Sequence, residues 1–152
     1  MATQTTAIER RARATWEGDL RGGSGRFDLA SGAITGQEVT FASRFEDSGG
    51  KTSPEELIAA AHATCFSMAL ANGLAQQGHP ATRLETNATC ILDKADDGFR
   101  ITSMALEVRG QVDGIDDGAF RAAADEARDG CPVSQALAGN LEISVDASLQ
   151  RA

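Results

Sequence analysis

The stretch from Thr52 to Gln77 constrains the fold more than any other part of the sequence, because it predicts one long helix with defined ends. Ser53 and Glu56 have the spacing of a capping box, and Pro54 suits the first helical position. Gly78 follows the last helical residue and supplies a left-handed stop. The fold is therefore expected to be built around a helix of more than twenty residues.

This predicted helix carries no Lys or Arg between Pro54 and Gln77, and its apolar residues fall on several faces rather than one stripe. Such a helix is expected to be buried on most sides. A membrane span needs roughly 20 predominantly apolar residues. The stretch is interrupted by polar side chains at Glu55, Glu56, His62, Thr64, Ser67 and Asn72. We therefore expect burial in protein, to which a partner subunit contributes, and no membrane association.

Length and charge narrow the class of protein. A chain of 152 residues is predicted to form a single domain over residues 1–152 with a substantial core. The net charge of −8 disfavours nucleic acid and anionic membranes as partners. With no Tyr and one Trp, the chain also lacks the aromatic platforms of a single-strand binder. The first residues contain no apolar signal core, which leads us to expect a cytoplasmic protein.

The remaining sequence predicts an α+β fold with a mainly antiparallel sheet. Residues 12–41 read as a β-meander, and the glycine-rich run Arg21–Gly25 lacks the features of a phosphate loop, so it is read as a hairpin turn. Residues 82–94 and 99–112 read as a hairpin around Asp96-Asp97-Gly98, with a bulge between Ile101 and Met104. Two helices follow, one from about Asp116 to residue 128 with Gly130 as its stop and one from Pro132, before a last strand over residues 141–149 that closes a sheet.

The three cysteines have different predicted surroundings. Cys65 lies in the middle of the long helix, Cys131 lies at a helix N-terminus that favours a thiolate, and Cys90 lies on the inner face of a strand. An odd number in a reducing compartment indicates no disulfide framework, and free cysteines are often small core residues. His62, Cys65 and Cys131 could together ligate a metal, although no fourth ligand is evident. The residues alone leave core packing, reactive thiols and metal binding open.

Several motifs together resemble one family, the OsmC/Ohr hydroperoxide reductases, and within it the OsmC group. They are W-E-G-D near the start, S-P-E-E-L-I-A-A-A-H-A-T-C-F-S-M-A-L, L-D-K before the hairpin, V-D-G-I-D, and C-P-V-S-Q-A-L. The resemblance spans about Trp16 to Leu149. It implies an OsmC-like fold, with mainly antiparallel sheets wrapped around a long buried central helix in an intertwined homodimer that has a site at each subunit junction.

The resemblance also implies a chemistry, that of a thiol peroxidase without metal or flavin. Cys65 matches the peroxidatic cysteine, Cys131 the resolving one, Arg44 the site arginine and Glu55 its glutamate partner. The expected partners are a hydroperoxide and an external dithiol, for example on a lipoylated protein. Apolar neighbours of Cys65, among them Phe66 and Met68, indicate a preference for organic hydroperoxides over hydrogen peroxide, although such residues are more often plain core.

Helix geometry adds an expectation about Glu55. It precedes Cys65 by ten residues, which in one helix separates them by about 15 Å and roughly 80°. We therefore expect Glu55 to serve the Cys65 of a partner subunit, the alternative being a first-turn acid that favours the helix dipole. Two non-enzymatic functions remain open for the same scaffold, an apolar-ligand carrier and a thiol redox sensor.

Overall fold

The computed structural model describes residues 7–150, so the first six residues, part of the segment searched for a signal, lie outside it. The chain divides after Pro54 into two compact units. The first unit holds a small sheet and a short helix, and the second holds the long helix, a second sheet and two further helices. The prediction of a single domain over residues 1–152 stays a prediction.

The first unit confirms the predicted β-meander. Its strands are β1 (Ala12–Glu17), β2 (Ser24–Leu29) and β3 (Gln37–Thr40), and each pairs antiparallel with the next. The first three residues of the glycine-rich run, 21–23, lie in the turn between β1 and β2, as predicted, and Ser24 and Gly25 begin β2. The Gly23 amide donates to the carbonyl of Asp19 at 2.9 Å, and the indole of Trp16 donates to the carbonyl of Gly18 at 3.1 Å.

A short helix, α1 (Phe41–Phe45), follows β3 and replaces the end of the predicted strand. Thr40 and Ser43 form a reciprocal capping box: the Ser43 amide donates to the Thr40 side chain at 3.1 Å, and the Thr40 amide donates to the Ser43 side chain at 2.9 Å. The predicted meander, which extended through Phe41, is wrong at its end because these local hydrogen bonds start a helix. Arg44 therefore lies on a helix.

The long helix α2 (Pro54–Gln76) has the predicted extent, with Pro54 as its first residue. Its end is a Schellman motif: the Gly78 amide donates to Ala75 at 3.0 Å, and the His79 amide donates to Leu74 at 2.9 Å. Gly78 has a φ of 86°, which a residue with a side chain rarely adopts. The predicted stop is confirmed.

The second sheet begins with the predicted hairpin of β4 (Ala81–Ala95) and β5 (Gly98–Val112). Ile91 lies opposite Ser103, whereas the next residue, Leu92, lies opposite Ile101. Thr102 is therefore the extra residue of a β-bulge, at the position where the change of apolar parity predicted one.

The helices α3 (Asp117–Gly130) and α4 (Pro132–Leu137) connect β5 to β6 (Glu142–Leu149). Asp116 caps α3 as predicted, but Gly130 is its last residue, and Cys131 rather than a left-handed glycine ends it. The pair β5–β6 is parallel, and β6 is an edge strand in the order β4-β5-β6. The predicted mainly antiparallel architecture is confirmed by the pairs β1–β2, β2–β3 and β4–β5. The parallel direction of β6 was not predicted, and it arises because a helical crossover returns the chain in the direction of β5.

One core fills the second unit, where α2 and α3 pack on the sheet. Gly110 of β5 gives room to the ring of Phe120, since a Cβ at this glycine would lie 2.5 Å from the ring. The core consists of Phe66, Leu70, Leu74, Met104, Leu106, Val108, Phe120, Ala123, Ala124, Ala127, Cys131 and Ala147.

The long helix is buried along one line and exposed along the opposite face. Within α2 the buried residues are Glu55, His62, Phe66, Leu70 and Leu74. Burial on most sides is therefore wrong for the single chain, because the sheet and α3 cover only one side. The exposed positions include Ala60, Ala61, Thr64, Met68, Ala71, Asn72 and Ala75.

By length and mean hydropathy, 1.4 over its most apolar window, α2 could also cross a membrane. The polar residues that led us to expect no span therefore do not exclude one by composition. The core helix of a soluble protein meets the same criterion, and the packing of Phe66, Leu70 and Leu74 against the sheet favours that interpretation.

Candidate active site

Cys65 and Cys131, far apart in sequence, meet in the second unit. Cys65 lies on α2 and is partly buried, whereas Cys131 is fully buried between α3 and α4. A hydrogen bond joins the two side chains, and both thiols are free. Cys131 ends α3 and is also the N-cap of α4, so one residue joins both helices to the thiol pair.

The surroundings favour a thiolate at Cys131. Burial alone would raise the pKa of Cys131, but the hydrogen bond from Cys65, those from the backbone and side chain of Ser134, and one from the backbone of Val133 together lower it below the usual value. The predicted thiolate-favouring position at a helix start is therefore confirmed, with donors that can be named.

The surroundings of Cys65 have the opposite effect. Burial raises the pKa of Cys65, and the hydrogen bond to Cys131 and the charge of Cys131 raise it further, against a smaller lowering by the backbone of Val133. Of the two thiols, Cys131 is therefore the one whose thiolate form the surroundings favour.

A second pair of buried side chains, His62 and Ser134, is close in sequence to the two cysteines. His62 lies one turn before Cys65, and its Nε2 is 2.7 Å from the hydroxyl oxygen of Ser134, which lies three residues after Cys131. Both residues are buried. Sequence reasoning considered His62 only as a metal ligand and missed Ser134; the matching spacings H-x-x-C and C-x-x-S were the available signal.

The metal interpretation of this cluster finds no geometric support. Across residues 7–150, no three His, Cys, Asp or Glu side chains converge as a metal site would require. The Nε2 atom of His62 is hydrogen-bonded to Ser134 and is therefore not available as a ligand atom in this arrangement.

Glu55 is buried in the first turn of α2, with 6% of its surface exposed, whereas the adjacent Glu56 is exposed. Burial raises the pKa of Cys90, and the charge of Glu55 raises it further, so Glu55 lies close to β4. A solvated acid at a helix start would resemble Glu56 rather than Glu55. The assignment of Glu55 to the Cys65 of a partner stays a prediction.

Arg44 lies on α1 in the first unit, with its guanidinium 5.2 Å from the centre of the Phe45 ring. The two cysteines belong to the second unit. That Arg44 acts beside Cys65 stays a prediction from the resemblance.

Three further residues named in the sequence analysis, Cys90, Phe66 and Met68, differ in their burial. Cys90 packs against the core, as predicted. Phe66 is fully buried in that core and Met68 is 68% exposed on the opposite face of α2. The apolar pocket expected from these two residues is therefore wrong for the single chain, because successive helical positions point in different directions.

Comparison with known proteins supplies the family. The sequence model of the family described as OsmC-like protein matches residues 46–146. The chain is 45% identical over 143 residues to Peroxiredoxin OsmC of Escherichia coli, covering 94% of this chain and 98% of that protein. It is 30% identical over 96 residues to the organic hydroperoxide resistance protein OhrA of Bacillus subtilis, covering 62% of this chain and 66% of that protein.

Solved structures share the fold at lower identity. An organic hydroperoxide resistance protein from Elizabethkingia anophelis superposes with a TM-score of 0.77 at 22% identity, covering 97% of this chain and all of that one. The protein OhrB of Bacillus subtilis superposes with a TM-score of 0.73 at 24% identity, covering 91% and 98%. From the sequence match and the shared fold, the chain belongs to the OsmC-like protein family.

Proposed function

We propose that Cys65 and Cys131 carry out the peroxidase reaction that family membership and 45% identity to a peroxiredoxin assign to this chain. The observation that carries the proposal is the hydrogen bond between two free thiols on different elements of the fold. A thiol pair in contact can become a disulfide with little movement of the backbone.

The reaction starts at Cys65. Its thiolate attacks one oxygen of the hydroperoxide, the O–O bond breaks, and the departing alkoxide takes up a proton to become the alcohol. Cys65 is left as a sulfenic acid. The Cys131 thiolate then attacks that sulfur, the S–O bond breaks, and hydroxide leaves and becomes water. A Cys65–Cys131 disulfide results.

The first step needs a cation. In the second unit the negative charge of the pair favours Cys131, and the pKa of Cys65 is raised by burial and by Cys131. A guanidinium beside Cys65 would reverse this preference and polarise the peroxide oxygen. We assign this role to Arg44, and we assign Glu55 the task of orienting that guanidinium through a bidentate ion pair.

The external dithiol closes the cycle by attacking Cys65. In thiol–disulfide exchange, access decides which sulfur is attacked. Cys131 has 0% of its surface exposed, whereas Cys65 is only partly buried, which directs the incoming thiolate to Cys65. Cys131 leaves as a thiolate, and its lowered pKa makes it a good leaving group. The second thiol of the dithiol then attacks the mixed disulfide, releases the Cys65 thiolate and leaves the reductant as a disulfide.

The active form is a homodimer in this proposal. The exposed face of α2 is made largely of alanine, together with Met68, which suits close packing against a second copy. In a dimer, Glu55 of one chain would serve Cys65 of the other. Mixing a Cys65→Ser chain with a Glu55→Ala chain should then restore activity in the heterodimer, and failure to regain any would contradict the sharing.

Peroxide consumption tests the function directly. The purified chain is given cumene, fatty-acid or hydrogen peroxide, with dihydrolipoamide, thioredoxin or glutathione as reductant. We expect catalytic turnover, fastest with an organic hydroperoxide and dihydrolipoamide. Formation of one disulfide per chain without turnover would favour a redox sensor, and binding of apolar ligands with both thiols blocked would favour a carrier.

A further inference from the structure

We infer that His62 is a positioning residue for the resolving step, because its Nε2–H fixes the Ser134 hydroxyl so that the hydroxyl proton is donated to the sulfur of Cys131. The inference deepens the proposed function and rests on it for the role of Cys131. It concerns two residues, His62 and Ser134, that the reaction as written above does not use.

A continuous line of buried groups supports it. His62 Nε2 lies 2.7 Å from Ser134 Oγ, joining α2 to α4. Ser134 in turn approaches Cys131 with both its hydroxyl and its backbone amide. His62 and Cys131 are fully buried and Ser134 is 3% exposed, which limits competition from water for the hydroxyl.

The direction of the hydrogen bonds follows from the other ring nitrogen. Within residues 7–150, Nδ1 of His62 is buried and has no hydrogen-bond partner. A proton on Nδ1 would be an orphaned buried donor, which is rarer in native proteins than an unused acceptor. The favoured tautomer therefore carries its proton on Nε2, and this N–H donates to Ser134.

That tautomer decides what Ser134 can do. If Nε2 accepted a proton from the hydroxyl, Ser134 would have none left for the sulfur. Because Nε2–H donates, the Ser134 oxygen accepts from His62, and its own O–H is free to donate to Cys131. His62 stays neutral in this arrangement, consistent with the lowering of its pKa by burial.

Few charges compete with this arrangement at Ser134. Ser134 also lines a cavity of about 370 Å³, whose charged lining residues are Arg128 and Asp129. These two side chains pair with each other at 3.2 Å, so their charges largely cancel. On α2 the titratable neighbour is Cys65, whose thiol also donates to Cys131.

The consequence reaches two steps of the cycle. Donation from Ser134 keeps Cys131 in the thiolate form that attacks the sulfenic sulfur of Cys65. When the external dithiol later breaks the disulfide, the electron pair moves onto Cys131, and the same donation stabilises the leaving sulfur.

The tautomer can be measured without any mutation of the site. Nitrogen-15 chemical shifts of the imidazole rings distinguish the two tautomers, and the chain has two histidines, so a His79→Gln variant assigns the His62 signals. We expect neutral His62 with the proton on Nε2. A proton on Nδ1 would overturn the inference.

The effect on Cys131 is measured in a Cys65→Ser, Cys90→Ser background, where Cys131 is the one remaining thiol. Ultraviolet thiolate absorbance is followed against pH, since it does not depend on reagent access. Removing the donor with Ser134→Ala or His62→Leu should move the transition to higher pH and lower the ratio of thiolate to thiol at a given pH by about tenfold. His62→Gln, which keeps an N–H donor, should stay within about twofold of the background.

Ser67→Ala is the matched control, because the Ser67 hydroxyl also ties α2 to another element, bonding Thr86 at 2.6 Å. It should leave the Cys131 titration unchanged. An equal shift in Ser67→Ala, or no shift in either His62→Leu or Ser134→Ala, would contradict the inference. Because the titration uses no peroxide, it can fail while peroxide consumption is normal, and the reverse.

Discussion

The two units of the chain differ in how their stability and their chemistry are provided. Residues 55–152 contain a core of buried side chains that includes Cys131, and Cys65 packs against that core. In residues 7–54 only Gly25 and Ser43 are buried, and every residue of β1 is exposed. A three-stranded sheet of such short strands needs a packed apolar face to be stable.

This difference indicates which of the two units would depend on a partner surface for its stability. The second unit can hold its cysteines in place with its own packing. The first unit carries Arg44, the cation assigned to the reaction, on an element without a core of its own. In the proposed homodimer, a surface outside the unit would supply the missing burial, so assembly would control the first chemical step more than the second.

The largest expected effect is loss of the peroxidatic thiol in the second unit. Cys65→Ser should abolish peroxide consumption, because no other residue takes its place in the O–O cleavage. Cys90→Ser is the control, since Cys90 packs against the same core and should be dispensable for turnover. Steady turnover by Cys65→Ser would overturn the proposed mechanism.

Loss of the resolving thiol should act later in the cycle. Cys131→Ser should consume one equivalent of peroxide per chain and then stall with Cys65 as sulfenic or more highly oxidised acid. Rapid-mixing measurement of the first turnover, with mass spectrometry of Cys65, checks this. Complete absence of that first equivalent would show that Cys131 is needed before resolution.

The first unit is tested by removing its cation. Arg44→Ala should slow the first turnover by about 100-fold, the loss expected when one charge-stabilising group is removed. Arg21→Ala is the matched control, because its guanidinium also stacks on a ring of the same unit, 4.6 Å from Phe41. Equal effects of the two substitutions would argue against a specific role for Arg44.

A pair of leucine substitutions compares the stability of the two units. Leu74→Ala, at a fully buried site, should lower the free energy of unfolding by about 2–5 kcal/mol. Leu20→Ala, at a site 57% exposed, should cost within about 0.5 kcal/mol. Denaturant titration measures both. A large and concentration-dependent loss in Leu20→Ala would instead place a partner surface over the first unit.

The smallest expected effect is on the stability of the fold at acidic pH. Burial lowers the pKa of His62 from its ordinary value of 6.5, so below that pH the unfolded chain binds a proton that the native chain does not. This contribution to stability is present above pH 6.5 and is lost as the pH falls toward the native pKa. His62→Gln should reduce the acid sensitivity in denaturant titrations, while His79→Gln should preserve it.

Much of this fold could be predicted because its signals are local. The ends of α2, the hairpin at Asp96-Asp97 and the bulge at Thr102 each follow from capping, turn chemistry or periodicity. The parallel pairing of β6 depends on how a crossover folds back, which no local pattern specifies. Helix α1 was missed because its capping residues, Thr40 and Ser43, continue a strand-like run.

The site was predictable in part. A position in the middle of a helix and another at a helix start singled out Cys65 and Cys131, and only the resemblance paired them as peroxidatic and resolving cysteines. The hydrogen bond from His62 to Ser134 joins residues 72 positions apart, so it depends on tertiary packing. Burial of α2 was overestimated because composition does not show how much surface one chain can cover.

Because Cys131 lies at the junction of α3 and α4, oxidation of the thiol pair would restrict the relative motion of three helices. A disulfide to Cys65 would fasten both helices to α2 and close a loop of roughly 65 residues, which lowers the entropy of the unfolded chain by the equivalent of about 4 kcal/mol. Each catalytic cycle would then form and break this covalent link between α2 and the α3–α4 junction. The midpoint of unfolding would report the redox state of the protein.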